Sequence, residues 1–220
     1  MGHKSHFSAI FLFLFTAAVI GCNVYSFLPH TPWYTFTVAL FKSYTFSGSL
    51  TRPGVLYSNS ITEGITMSEW EGDSKTRDVV YQTFGFVIVS FVLSCLVILM
   101  CLVSLLKHLH KKARKVLFVV SIFSFIANGL AAFLFFRVNK SFCNDLSGAI
   151  SLPGVVVTEL NGSDLCSHFK GGSDSSLASV NWGPGIGWWI TIASFGCSLF
   201  VVIFAHRVLR QKKFGYHIIH

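Results

Sequence analysis

The chain has 220 residues, of which 52% are hydrophobic, 15% aromatic and only 12% charged. A soluble domain normally carries about a quarter charged residues, so this composition argues for a membrane protein. A formal net charge of +8 would suit nucleic acid, but the basic residues cluster in short segments beside long apolar runs, which excludes that partner. Six Cys without a C-x-x-C pair make neither a disulfide-rich scaffold nor a zinc or redox motif.

In chain order, residues 1–6 form a short basic start and residues 7–28 (FSAIFLFLFTAAVIGCNVYSFL) the first span, closed by Pro29. A first outer loop covers 29–82, span two 83–106, a basic turn 107–115, span three 116–136, a second outer loop 137–183, span four 184–205 and a basic tail 206–220. Each span approaches the roughly 20 apolar residues needed to cross about 30 Å of hydrocarbon as a helix. The fold class expected is a membrane all-α, four-transmembrane-helix bundle with a small β-containing outer region. A basic start before an apolar run can also be a cleaved signal peptide, but apolar character resumes at Val24, Tyr25, Phe27 and Leu28, giving a full span.

Charge sets the expected orientation. The start, the turn KHLHKKARK (Lys107, Lys111, Lys112, Arg114 and Lys115) and the tail hold ten basic residues and no acidic one. The long loops hold the other seven basic residues and all nine acidic ones. Lys and Arg in short flanking segments stay cytoplasmic, so both termini and the turn are expected inside. The basic turn is then read as a topology anchor touching anionic lipid head groups.

The first outer loop opens with an alternating stretch. Phe36, Val38 and Leu40 share one face and Thr35, Thr37 and Ala39 the other, and Tyr44 and Phe46 resume the alternation beyond Lys42. Gly48 and Arg52-Pro53-Gly54 read as turns, and Val155–Val157 as a strand of the second loop. Trp33, Tyr34, Trp182, Trp188 and Trp189 are expected as interface anchors. Cys143 and Cys166, the Cys well inside an outer loop, are expected to pair, with Cys22 a competing partner. Cys95, Cys101 and Cys197 read as packing residues, Cys101 with palmitoylation as its alternative. Asn161 heads a reachable glycosylation sequon, whereas that of Asn139 lies almost on the membrane.

Within the spans, Asn128 is read as the strongly polar interior side chain, hydrogen-bonding a neighbouring helix. Small residues at four-residue spacing (Ala17 with Gly21, Ser90 with Ser94, Ala127 with Ala131, Ala193 with Cys197, Ser194 with Ser198) suggest close helix approach. No nucleophile elbow, phosphate loop or metal-ligand spacing occurs, so neither an enzyme nor a cofactor is expected.

The tail segment Gly215-Tyr216-His217-Ile218-Ile219 resembles the Gly-Tyr-x-x-hydrophobic signal of lysosome-associated membrane glycoproteins. That resemblance implies that Tyr216 and Ile219 occupy two pockets of a clathrin adaptor subunit. Leu28-Pro29 followed by Trp33, an alternating strand, and Arg77 ahead of span two resemble the claudin and peripheral-myelin-protein superfamily of four-span proteins. The family's Gly-Leu-Trp with two Cys in the first loop has no counterpart here. The function expected is a non-enzymatic tetraspan scaffold or adhesion-type organiser, with an auxiliary channel or transporter subunit as the alternative. Other membrane proteins, or further copies of the chain, are the expected partners, at the plasma membrane or the endo-lysosomal membrane.

Overall fold

Lipid offers backbone N–H and C=O groups no partner, so an apolar run that crosses it must close its hydrogen bonds within itself. In the computed structural model, which describes residues 3–40, 44–60, 65–70, 74–106, 110–145, 164–174 and 178–210, four helices meet that demand. They are α1 (His3–Phe27), α2 (Lys75–Leu106), α3 (Lys111–Leu134) and α5 (Ile186–Arg210). A 3-10 turn at Phe135–Arg137 carries α3 into α4 (Val138–Asp145). At 1.5 Å per residue the run from Lys112 to Asp145 rises by about 50 Å. The hydrocarbon is about 30 Å thick, so α4 stands outside it.

The helices pack as a ring in sequence order, α1 against α2 and α5, and α3 against α2 and α5. Successive helices run antiparallel, which puts the chain start, the basic turn and the end of α5 at one end of the bundle. There Phe11 stacks on Phe204, Phe118 lies against His206, and Leu12, Val97, Cys101, Leu117, Val201 and Val208 form a core. Cys101 is buried in it, which fits packing and leaves no thiol at the surface for an acyl chain.

The opposite end is covered by one antiparallel sheet. Strands β1 (Tyr34–Leu40), β2 (Tyr44–Leu50), β3 (Gly54–Asn59) and β4 (Ile65–Glu69) come from the first loop, β5 (Gly171–Asp174) and β6 (Ala178–Pro184) from the second. Their order is β4-β3-β2-β1-β6-β5. The expected alternation is present: Tyr34, Phe36 and Val38 are buried, Thr35 is exposed, and Val38 lies opposite Phe46. Gly48 sits opposite Phe36 inside β2 rather than in a turn, because any Cβ there would overlap the Phe36 ring. The strand expected at 155–157 falls outside the described residues.

Sheet and bundle share one core. Trp33 is 1% exposed, its indole N–H donates to the Ser26 carbonyl (2.9 Å), and its ring meets Phe84 and Phe135 edge-on at 4.9 and 5.2 Å. Trp182 donates to the His168 carbonyl (2.8 Å) and Trp188 to that of Ala132 (3.1 Å), both with buried rings, as is Tyr34. These four are therefore core residues and not interface anchors; only Trp189, 53% exposed, faces outward. The anchoring expectation fails because the sheet lies directly over the helix ends and consumes the aromatic rings that a bare bundle would show to the interface.

α2 also starts at Lys75, ahead of the expected Thr83. Its first turns carry Lys75, Arg77 and Asp78, which hide the helix from a hydropathy reading, while Val79 and Val80 pack under the sheet. Of the small-residue pairs, Ser90 with Ser94, Ala127 with Ala131 and Ser194 with Ser198 face the bundle interior; Gly21 and Ala193 face outward.

Gly187, at the start of α5, has no room for a methyl group: an added Cβ would lie 2.6 Å from Trp33 Cδ1 and 2.9 Å from Thr31 Cγ2. Gly196, two turns further along α5, has nothing within 4 Å. Thermal unfolding in detergent is expected to show Gly187→Ala destabilised by about 1–3 kcal/mol, the usual cost of overpacking. Gly196→Ala should be neutral or more stable, since Ala is the better helix former by about 1 kcal/mol.

Candidate interaction surface

A strand with one buried face must show the other, and the composition of that second face decides what it can bind. Opposed residues of an antiparallel ladder point to the same side. The register therefore lines Thr37 up with Ser47 and Asn181, Thr35 with Ser49 and Gly183, and Ser47 with Ser58. The outer face is polar, with Asp174 opposite Ser179 at its β5 end and Glu69 at the end of β4, and its hydroxyls bond one another, as Ser47 and Ser58 do at 3.0 Å. At the β4 edge this changes. Ile65 and Met67 lie on the outer face beside Ser58 and Leu56, with Ile65 79% exposed. β4 is also the last strand of the sheet, so its outer backbone edge has no ladder partner among the described residues.

Beneath the sheet the bundle is closed by a polar layer to which all four spanning helices contribute. Asn23 of α1 donates to Ser90 Oγ of α2 (3.2 Å) and accepts from Ser194 of α5 (2.9 Å). Ser194 also meets Asn128 Oδ1 of α3 (3.3 Å), and Ser124 of α3 bonds Ser90 (3.3 Å) and Ser94 (2.9 Å). Every member is at most 2% exposed. Asn128 thus bonds a neighbouring helix as expected, but it is not alone, because Asn23 is an equally buried amide in span one. A plain Asn inside the first apolar run was the available signal.

A second polar junction holds the outer ends together. The buried carboxylate of Asp145, at the end of α4, accepts from Ser74 Oγ (2.8 Å), Thr76 N–H (2.6 Å) and Thr76 Oγ1 (2.7 Å). It thereby caps the start of α2 from a distant part of the chain, where a helix N-terminus favours negative charge. Burial pushes this carboxyl up, but the bonds from Thr76, Ser74 and the Lys75 backbone outweigh it and hold it below its ordinary value. Close by, Cys143 of α4 is joined to Cys166, with Cα atoms 5.8 Å apart; Cys22 stays free in α1.

Among the other sequence-derived positions, Lys111, Lys112, Arg114 and Lys115 fall in the first turns of α3, which carry no acidic residue. Lys107, Asn161, Tyr216 and Ile219 lie outside the described residues. Asn139 is buried and its amide donates to the Leu165 and His168 carbonyls, so its sequon has no free nitrogen for a glycan in this fold. Asp145, Ser74 and Thr76 escaped the sequence reading because their partnership spans some 70 residues and follows no local pattern. Comparison with models of known protein families finds no match, and comparison with curated proteins finds no similar sequence.

The Asp145 junction has a pH signature. A carboxylate whose folded value is depressed stabilises fully above its unfolded value near 4, and that contribution is lost as pH falls through the lower folded value. At pH 7, Asp145→Asn should cost about 1.5–3 kcal/mol in detergent unfolding. Acidification below about pH 4 should erode the wild type more steeply than the variant. Parallel acid profiles would contradict the capping role.

Proposed function

We propose that the chain is a non-enzymatic tetraspan organiser of scaffold or adhesion type, acting through its outer sheet and bundle surface. The observation that carries this reading is the β4 edge: the last strand of the sheet, without an outer ladder partner among the described residues, whose outward residues Ile65 and Met67 are apolar and exposed. Exposed apolar edge strands are templates for pairing with another chain. The junction at Trp33 supports it further, because it fixes the sheet on the bundle and would pass lateral order in the membrane to the outside. The reading includes kinship with the claudin and peripheral-myelin-protein superfamily, supported by Trp33 and the alternating first-loop strand.

The orientation proposed places both termini and the basic turn in the cytoplasm, at the plasma or endo-lysosomal membrane. Four basic residues in the first turns of α3 oppose the helix dipole, and anionic head groups of the cytoplasmic leaflet would offset that. Glycosylation at Asn161 and adaptor binding through Tyr216 and Ile219 belong to the same proposal. An auxiliary channel or transporter subunit is the second reading, favoured only by the polar layer. The layer's mutual hydrogen bonds and burial argue for helix pairing instead.

A photo-crosslinker at Met67 in the full chain, on native membranes, should give discrete adducts with membrane proteins or a second copy. Ile65→Lys should abolish them. The purified protein in liposomes should carry no ion or solute flux. Flux without adducts would replace the organiser reading by the channel one.

A further inference from the structure

Between the sheet-proximal ends of α1 and α2 the bundle surface is cut by a groove of about 450 Å³. That is within the roughly 300–1,000 Å³ of ordinary small-molecule sites. Val24 and Phe27 of α1, with Leu28 just beyond its end, line it together with Val87, Ile88 and Phe91 of α2. Val87 is buried at its floor, while Val24, Leu28 and Ile88 are each nearly half exposed, so the groove opens sideways, away from the bundle axis. Asn23 also reaches the floor, but both ends of its amide are bonded, to Ser90 and Ser194. The groove therefore offers its occupant hydrocarbon contacts and no free polar group along its length.

One cation stands at its mouth. Arg52, in the turn between β2 and β3, lines the groove and lies over the Phe27 ring, its guanidinium carbon 4.4 Å from the ring centroid. The turn is held down by the Trp70 indole, which donates to the Arg52 carbonyl at 3.0 Å. Among the described residues no carboxylate comes within ion-pair distance of Arg52. An arginine fork with no acidic partner among the described residues, beside a groove running down a spanning helix, matches the two halves of one kind of molecule. From Phe27 to Asn23 the groove descends about 6 Å along α1, from the sheet into the level of the lipid chains. Phosphate at the interface and an acyl chain parallel to the helices have that same arrangement, and guanidinium is the preferred side chain for phosphate.

We infer that the α1–α2 groove is a binding site for a glycerophospholipid of the sheet-side leaflet, one acyl chain lying in the groove and its phosphate on Arg52. The site is separate from the basic turn, which lies at the other end of the bundle.

Native mass spectrometry of the full chain in a mild detergent tests this, with phosphatidylglycerol, phosphatidylcholine, the matching diacylglycerol, a sterol and glycerol 3-phosphate each offered at equal concentration. Both phospholipids should be retained as one-to-one adducts, and the other three should not. Arg52→Gln should lower retention about tenfold, as expected for loss of a charged hydrogen-bonded partner. Ile88→Trp, at the exposed rim, should lower it by filling the groove with Arg52 intact. Joint Lys112→Gln and Arg114→Gln should leave it unchanged. The Cys143–Cys166 bond and an unaltered unfolding temperature identify folded variants, and Ile88→Trp decides if Arg52→Gln does not fold. Retention of diacylglycerol or sterol equal to phospholipid overturns the assignment, as do adducts insensitive to a folded groove variant or lost instead on changing the basic turn.

Discussion

The indole of Trp33 is bonded to α1 through the Ser26 carbonyl, packed on α2 through Phe84, set against the end of α3 through Phe135, and approached by α5 at Gly187. One buried side chain thus meets all four spanning helices at the point where the sheet begins. The chain leaves α1 into β1 and re-enters α5 from β6, and these two strands pair along their full length, from Tyr34 opposite Pro184 to Leu40 opposite Ala178. The packed pair α1 and α5 therefore continues out of the lipid as a strand ladder. Backbone bonds from Gly185 to the Trp33 carbonyl (2.8 Å) and from Gly187 to that of Pro32 (2.9 Å) close the corner. The outer region is consequently an extension of the bundle and not a domain tethered to it.

Inside the lipid the helices have no hydrophobic reason to associate, since acyl chains are as apolar as their side chains. Close packing and interhelical hydrogen bonds must supply the preference, the latter at about 0.6–2 kcal/mol each. The layer formed by Asn23, Ser90, Ser94, Ser124, Asn128 and Ser194 does this near the sheet end. Stacked Phe11, Phe15, Phe200 and Phe204 do it between α1 and α5 near the basic end. Loss of α1 by cleavage would strip both sets of partners from α5.

The spans could be read from the sequence because hydrocarbon thickness and backbone hydrogen bonding leave few alternatives for runs such as residues 7–28. β1 was legible because one face is buried and the other is not, which writes a period of two into Tyr34–Leu40. The Cys143–Cys166 pair was legible by its position in an outer loop. β6 carries the same signal, Ala178, Val180 and Trp182 inward with Ser179 and Asn181 outward, but its partner β1 lies over 130 residues away. The junction of the two loops into one sheet is therefore a tertiary fact, and the misreading of Trp33, Tyr34, Trp182 and Trp188 as anchors follows from missing it. Asp145 belongs to the same class: a lone acid in the sequence, a helix cap once α4 meets α2.

Four spanning helices put the sheet at one end of the bundle and the start of α3 at the other. Single cysteines at Thr37, on the outer sheet face, and at Lys112, in α3, placed in a background lacking the free Cys, can be probed with a membrane-impermeant maleimide. With only the plasma membrane opened from outside, Lys112→Cys should react and any intracellular pool of Thr37→Cys should stay protected; on intact cells only surface Thr37→Cys should react. Reaction of both positions from the same side would contradict the four-span arrangement.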